Sequence, residues 1–204
     1  MIKYADFVNK HHGRKALIIA LGESALKVRG MDLSHLVTIG VNDVDRVFVP
    51  NYVVTLDEYK TFEIGRAETI MRTKAERIFT HIKDWEKSGK AVMFALGRKG
   101  TLLNLNNPGV LDISCNSPYV AMILAYQMGC TSIGVIGLDF TDNHCYAKDG
   151  AHILVRANRM PEIEQDFKRL SDAMLAAGRG LWNLSDTSIL KALPKYDFEK
   201  FIME

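Results

Sequence analysis

The chain has 204 residues, of which 48% are hydrophobic and 25% are charged, the ordinary range for a globular domain with a full core. Its net charge is +2 and acidic and basic residues are interleaved, so no nucleic-acid partner is indicated. No apolar run approaches the roughly 18 residues that a membrane span requires. Three cysteines without a paired motif, and an N-terminus without an apolar signal core, predict a cytoplasmic protein.

The first predicted strand is the apolar run Ala16 to Leu21, which ends at Gly22. An unbroken apolar run is typical of a strand that is covered on both faces of a parallel sheet. Ser24 then stands where a helix N-cap is expected, so this stretch predicts a strand, a glycine turn and a helix start. Such a turn exposes backbone N–H groups that bind anions, above all phosphates. An ordinary turn without a ligand remains the alternative, since no dinucleotide fingerprint or P-loop is present.

Two further predicted strands also end in polar residues. Leu36 to Val41 is followed by Asn42 and Asp43, and Val53 to Leu56 is followed by Asp57. Parallel strands place these ends on one edge of the sheet, which is where open α/β proteins bind ligands. Helix capping is an alternative explanation for each acid taken singly.

The middle of the chain is less sharply patterned. Residues 59–89 are charged and predict mainly helix with a solvated face, on which Arg66 and other bases are offset by glutamates; residues 76–82 also fit a short edge strand. Ala91 to Leu96 predicts a fourth buried strand. The Gly- and Asn-rich residues 97–110 predict a loop that serves as a lid or as a substrate-specificity segment.

The best-marked helix start in the chain is Ser117 followed by Pro118, with Ser117 as the expected N-cap. This helix ends at Gly129, and residues 131–138 then predict the most apolar strand, which ends at Asp139. Beyond the following loop, the sequence predicts a helix from Pro161, a last strand over residues 180–184 and a closing helical turn over residues 185–193. Strands and helices that alternate in this way predict one α/β domain, residues 1–204, with a mostly parallel Rossmann-like sheet and helices on both faces.

A polar loop at about residues 141–160 is predicted to act as a lid and is the stretch richest in chemistry. His144 and His152 can each serve as a general base, and Tyr146 can donate a hydrogen bond to a leaving phosphate. The loop's histidines, its cysteine and the preceding aspartate have metal-ligand chemistry, but their spacing matches no zinc signature. An ordinary surface loop is the remaining alternative.

Residues 116–140 carry a small polar cluster, a helix that ends in Gly, an apolar strand and then Gly-Leu-Asp-Phe. This order resembles the core of the bacterial sialyltransferases of the Campylobacter type and of the related DUF115 proteins. The latter include Maf-type flagellin glycosyltransferases and the MptE-like 6-hydroxymethylpterin diphosphokinases. Residues 22–26 resemble the family's Gly-Pro-Ser-Leu turn, although Glu23 and Ala25 depart from it. Asn42 resembles its second-strand Asn, and residues 183–190 resemble its closing Asn-x-Ser segment.

The resemblance implies that the strand ends hold the nucleotide of a CMP-sugar. The implied nucleotide-binding residues are Gly22, Glu23, Ser24, Asn42, Asp43, Asn116, Ser117 and Asp139. It also implies that Tyr146 hydrogen-bonds the departing phosphate, and that His152, or else His144, is the catalytic base. Thr141 stands where the sialyltransferase branch has a second tyrosine, so half of the leaving-group clamp is missing.

The resulting hypothesis is a glycosyltransferase-like enzyme that moves a sugar from a nucleotide-activated donor, such as a CMP-sugar, to a surface glycan or protein acceptor. No cofactor is expected for this activity. The alternative is a pterin-type diphosphokinase that needs Mg²⁺, held by Asp57 or Asp139 together with substrate phosphates. A third reading is a nucleotide-binding module without catalysis. The sequence leaves the sugar, the acceptor and homo-oligomerisation open.

Overall fold

The computed structural model describes residues 2–141, 144–146, 155 and 157–204. The strands of this described part are, in chain order, β1 (Lys15–Ile19), β2 (Val37–Val41), β3 (Tyr52–Val54), β4 (Arg77–Thr80), β5 (Ala91–Met93), β6 (Ala95–Lys99), β7 (Val110–Ile113), β8 (Ser132–Ile136) and β9 (Gly180–Asn183). Its α-helices are α1 (Ile64–Met71), α2 (Ser117–Gln127), α3 (Met160–Ala176) and α4 (Phe198–Met203). Short 3₁₀ helices span Tyr4–Phe7, Glu23–Val28, Val44–Arg46, Tyr59–Thr61 and Lys83–Ser88. Within these described residues, no helix combines the length and apolarity that crossing a membrane requires.

Seven strands form one sheet in the order β5-β4-β3-β2-β1-β8-β9, and each neighbouring pair runs parallel. The strand β1 pairs with β2 on one side and with β8 on the other, so the chain reverses its direction across the sheet at this point. Such a switch point opens a crevice at the carboxyl ends of the strands. The prediction of a mostly parallel, Rossmann-like α/β domain is confirmed.

The core fixes the helix that borders this crevice. Residues 16–19 of β1 are completely buried, as a strand covered on both faces requires. The helix α2 packs against β1, β2, β3, β7 and β8, and residues 119–125 are at most 1% exposed. Burial of each large apolar side chain contributes about 1.5–3 kcal/mol relative to exposure. The N-terminus of α2 is therefore held rigidly beside the ends of the strands.

The predicted strand over residues 91–96 is wrong as a single element. Met93 pairs with Thr80 in the main sheet, whereas Ala95 pairs with Val110 in a second, two-stranded sheet of β6 and β7. The chain thus changes sheets at Phe94. Residues 97–99 and 110 belong to these two strands, so the predicted loop of residues 97–110 is shorter than expected.

Other boundaries also differ from the predictions. The strands β1, β3 and β8 end two residues earlier than expected, at Ile19, Val54 and Ile136. The strand reading of residues 76–82 is confirmed by β4, but this strand lies between β3 and β5 and is not an edge. Residues 59–89 are therefore helical only in short pieces, of which α1 is the single α-helix in this fully described stretch.

Two helix predictions at the cleft and at the C-terminus need correction. The N-cap of α2 is Asn116 rather than Ser117, because the Asn116 Oδ1 accepts a hydrogen bond of 3.2 Å from the Tyr119 N–H. Residues 185–193, all of them described, contain no helix. Their polar groups instead bond to the end of β8, where the Ser188 hydroxyl donates to the Leu138 carbonyl at 2.6 Å. The sequence patterns did not predict α4.

Candidate functional site

A cleft of about 790 Å³ opens at the carboxyl ends of the parallel strands. The segments that follow β1, β2, β3, β4, β7 and β8 all contribute to its wall, together with the N-terminus of α2. Most of the predicted site residues line this one cleft, namely Gly22, Asn42, Asp57, Asn116, Ser117, Asp139 and His144. The expected convergence of the strand ends is therefore observed. A smaller cavity of about 300 Å³ lies beside α1, bordered by Asp45, Glu68 and Arg72 among others.

Asn42 lines the cleft and has a side-chain acceptor that pairs with no described residue. Its backbone has a left-handed φ of 51°, a conformation that Asn tolerates better than most residues. The Asn42 N–H donates to the Val54 carbonyl at 3.0 Å, which anchors the turn after β2. The Asn42 Oδ1 is buried and accepts no hydrogen bond from any described residue. Because an unsatisfied buried polar atom costs about 1–3 kcal/mol, a ligand donor at this position would be stabilising.

The N-terminus of α2 presents a complementary donor. The Asn116 side chain caps the helix through Oδ1, while its Nδ2 is buried and donates to none of the residues that the structure describes. Ser117 and Pro118 follow it along the cleft wall. The backbone N–H groups of a first helical turn and the helix dipole favour an anion at such a place.

Asp139 ties the glycine turn to the end of β8. It is 1% exposed, and it accepts hydrogen bonds from the Ser24 N–H at 2.8 Å and from the Ser24 hydroxyl at 2.6 Å. The Ser185 hydroxyl also donates to this carboxylate. The Ser24 Oγ in turn accepts from the Gly137 N–H at 2.9 Å. Both side chains therefore shape the wall of the cleft through contacts within the protein.

Glycine is required at position 22 because this turn lies close to the end of β8. A Cβ placed on Gly22 would lie 2.6 Å from both the Asp139 Oδ2 and the Gly137 carbonyl oxygen. No side chain fits in that space. Glu23, the next residue, is exposed and is not part of the cleft wall.

Asp43 is the centre of a buried charged group that we call the Asp43 cluster, made of Asp43, Arg46, Arg66 and Tyr146. The Asp43 carboxylate is fully buried and faces both guanidinium groups, at 3.2 Å from Arg46 Nε and 2.9 Å from Arg66 Nη2. The Tyr146 hydroxyl donates to the same carboxylate at 3.2 Å. Burial, reinforced by the Asp43 charge, raises the pKa of Tyr146, so its phenol stays protonated. Asp43 and Tyr146 thus lie behind the cleft wall rather than on it.

The start of the predicted lid is attached to the glycine turn. The backbone of His144 forms an antiparallel bridge with Gly22, and the Cys145 N–H donates to the Leu21 carbonyl at 2.9 Å. The His144 ring lies 5.0 Å from the Tyr146 ring. Burial raises the pKa of Cys145 to about 12, which keeps its thiol protonated at neutral pH. His152 lies outside the described residues.

His81, Phe62 and Arg66 line the cleft although the sequence patterns did not single them out. His81 follows β4 directly, and its buried Nδ1 has no hydrogen-bond partner in the described part of the chain. Burial lowers the pKa of His81, against a smaller opposing effect of Asp57, so the imidazole is neutral at pH 7. The sequence contained one signal for His81, the predicted strand over residues 76–82. A strand that ends at Thr80 places His81 on the same edge of the sheet as Asn42.

The residues considered for Mg²⁺ do not assemble a metal site of their own. Both Asp139 oxygens already accept hydrogen bonds from Ser24, so this carboxylate does not fit a cation. Asp57 is exposed at the edge of the cleft. In the described part of the chain, no group of three or more His, Cys, Asp or Glu side chains is placed to share a metal ion.

A parallel sheet with an open cleft at its switch point, bordered by a helix N-terminus and by unpaired amides, defines the class of α/β proteins that bind small ligands at the strand ends. Within this class, the chain is similar to the sialyltransferase CstII from Campylobacter jejuni in complex with CMP-3FNeuAc. The TM-score is 0.54 at 14% identity, over 89% of this chain and 85% of that chain.

Two more solved structures support the same fold. CstII in complex with a trisaccharide acceptor and CMP has a TM-score of 0.52 at 14% identity, over 89% of this chain and 85% of that chain. The Maf glycosyltransferase from Magnetospirillum magneticum AMB-1 has a TM-score of 0.59 at 11% identity, over 95% of this chain but only 37% of that chain. The chain therefore has the fold of these glycosyltransferases. No family model and no curated protein sequence matches the chain, so membership of the DUF115 group stays a prediction.

Proposed function

We propose that the chain is a glycosyltransferase that binds a nucleotide-activated sugar in the cleft and transfers the sugar to a hydroxyl acceptor. The observation that carries this proposal is that Asn42 and Asn116 line one cleft at the switch point and that each has a buried amide atom, Oδ1 and Nδ2 respectively, which pairs with no described residue. An acceptor and a donor in one wall suit a nucleobase or a sugar, which offer both types of group. The neighbours with this fold are a sialyltransferase that binds CMP and an acceptor trisaccharide, and a Maf glycosyltransferase.

The chemistry assigns a role to each part of the wall. The acceptor hydroxyl oxygen attacks the anomeric carbon of the donor sugar, and the bond from that carbon to the phosphate oxygen breaks. The nucleotide leaves with the bonding electron pair, and the first turn of α2 stabilises its phosphate charge. The hydroxyl proton passes to an imidazole of the loop, which is His152 in our assignment, with His144 as the alternative.

A nucleotide panel tests the proposal. We expect CMP or another nucleoside phosphate to raise the melting temperature without Mg²⁺, in a panel of CMP, CDP, UDP, GDP and ATP, each with and without the metal. Ligand at about 100 times its Kd stabilises the fold by about 2.7 kcal/mol, which for about 200 residues is a shift of roughly 5–10 °C. Stabilisation by ATP that requires Mg²⁺ would favour the diphosphokinase instead.

Turnover separates an enzyme from a binding module. Incubation with a sugar donor activated by the best-binding nucleotide, a CMP-sugar if CMP binds best, and with a glycan acceptor should release that nucleotide, detected by chromatography together with the glycosylated acceptor. Binding of the nucleotide without its release from the donor under any acceptor condition would leave a nucleotide-binding module as the better description.

A further inference from the structure

Arg66 is the only lysine or arginine among the described residues that line the cleft. The sequence pattern placed it on a solvated helix face, where its charge is offset by glutamates. In the structure, its side chain is 26% exposed and points at the buried Asp43 carboxylate instead. A cation that lines a ligand cleft attracts a bound anion more strongly than a cation on an open surface does, because the cleft excludes part of the screening water.

The guanidinium of Arg66 is held in place by hydrogen bonds from two of its three nitrogens. Its Nε lies 3.1 Å from Asp43 Oδ1 and its Nη2 lies 2.9 Å from the same oxygen. The Arg66 guanidinium also lies over the rings of Phe62, at 5.3 Å, and of Tyr146, at 5.8 Å. The third nitrogen, Nη1, donates to no described residue. A planar, pre-oriented fork of this kind suits an oxyanion better than a flexible ammonium does.

The charge of the Asp43 cluster leaves a positive excess. One carboxylate faces two guanidinium groups and a protonated phenol, so the cluster carries a net charge of +1. Arg46, the second guanidinium, is 34% exposed and does not line the cleft. Arg66 is therefore the guanidinium of this cluster that a ligand in the cleft can contact directly. Burial would lower the pKa of Arg66, but its hydrogen bonds to Asp43 raise it overall, so the charge is permanent.

We propose that Arg66 Nη1 binds an anionic oxygen of the ligand, a phosphate or a carboxylate, and that Asp43 and Tyr146 position this guanidinium. The N-terminus of α2 lines the same cleft and favours an anion independently. Only the identity of the ligand as a nucleotide rests on the proposed function; the anion site itself does not.

Arg46 provides a matched control for this test, because it pairs with the same carboxylate and stacks on the same Tyr146 ring, at 5.0 Å, without reaching the cleft. The probes are CMP, cytidine and inorganic pyrophosphate, and their Kd values are measured by calorimetry at low ionic strength. A hydrogen bond to a charged group contributes about 1.5–3 kcal/mol. We expect Arg66→Ala to weaken CMP and pyrophosphate by about 10- to 100-fold and to leave cytidine unchanged. Arg46→Ala should leave all three within about twofold.

Several outcomes are decisive. Equal losses in Arg66→Ala and Arg46→Ala would show a structural role and overturn the proposal. Unchanged affinity of Arg66→Ala for CMP, for pyrophosphate and for the donor analogue CMP-3FNeuAc would also overturn it. Arg66→Lys keeps the charge but loses the fork, so its affinity for CMP should lie between that of Arg66→Ala and that of the unmutated chain. Unchanged melting temperatures of both variants show that the losses do not come from misfolding.

Binding of a donor analogue shows whether Arg66 binds the phosphate or the carboxylate of the ligand. CMP-3FNeuAc carries a sugar carboxylate in addition to the phosphate of CMP. A loss in Arg66→Ala that is confined to the analogue assigns the carboxylate to Arg66, and equal losses for the analogue and CMP assign the phosphate. Arg66-dependent binding of pyrophosphate without any nucleotide binding would remove the proposed function and leave the anion site standing. An unmutated chain that binds no anion would remove both.

Discussion

At the scale of single residues, some polar side chains of the cleft are hydrogen-bonded within the protein, whereas others have a polar atom that pairs with no described residue. Ser24 and Asp139 are hydrogen-bonded to each other and to neighbouring backbone, whereas Asn42 and Asn116 each have one polar side-chain atom that pairs with none of the described residues. The sequence placed all four at strand or helix ends, which is enough to predict proximity. It does not tell which polar groups pair within the protein, because that depends on side-chain directions after folding.

We expect Asn42→Gly to weaken nucleotide binding about fivefold, the effect of one lost hydrogen bond of about 1 kcal/mol. Glycine tolerates the left-handed backbone, so the fold should be kept and the melting temperature should change little. Asn9→Gly is the matched control, since Asn9 has a similar φ of 57° and does not line the cleft. Calorimetry on both variants checks this, and equal nucleotide affinity in the two would remove Asn42 from the site.

At the scale of elements, the conformation of the glycine turn after β1 depends on how closely the turn packs against the residues that end β8. The carboxyl-end rule for parallel strands correctly predicted that Gly22, Asn42, Asp57 and Asp139 share one edge. The rule cannot predict the exchange between sheets at Phe94, because the pairing partner of Ala95 is Val110, fifteen residues further along the chain. Nor can a charge pattern show that Arg66 pairs with a buried Asp43, since the same sequence fits a solvated helix face.

Gly22→Ala tests the packing of this turn. The added methyl would lie 2.6 Å from two oxygens, so the turn and β8 must separate. Overpacking of this kind costs about 1–3 kcal/mol, or roughly 2–12 °C in melting temperature for a chain of this size. Gly65→Ala is the control, because the nearest atom to its Cβ is the end of Arg46, at 3.5 Å. A melting temperature for Gly22→Ala that equals that of Gly65→Ala would show that the turn relaxes without cost.

At the scale of the whole molecule, the residues proposed to bind a nucleotide and those proposed to catalyse transfer belong to different parts of the chain. The rigid parts of the cleft, the strand ends and α2, carry the groups that would hold a nucleotide. The candidate bases belong to the loop that leaves β8, and its first residues are attached to the glycine turn through the bridge between His144 and Gly22. Loss of a loop histidine should therefore affect turnover without affecting nucleotide affinity.

We expect His152→Ala to lower turnover by roughly 10²- to 10⁴-fold, the usual contribution of a general base, with nucleotide affinity and melting temperature almost unchanged. His152 is preferred because the resemblance places the catalytic histidine shortly before a helix, and α3 begins at Met160. His12→Ala, at an exposed position far from the strand ends, is the control. If His144→Ala loses turnover and His152→Ala keeps it, the base is the histidine beside Tyr146. Should both variants turn over at the rate of His12→Ala, no histidine of this loop removes the proton. His81, which lines the same cleft, is neutral and has an Nδ1 that pairs with no described residue, then becomes the imidazole to test.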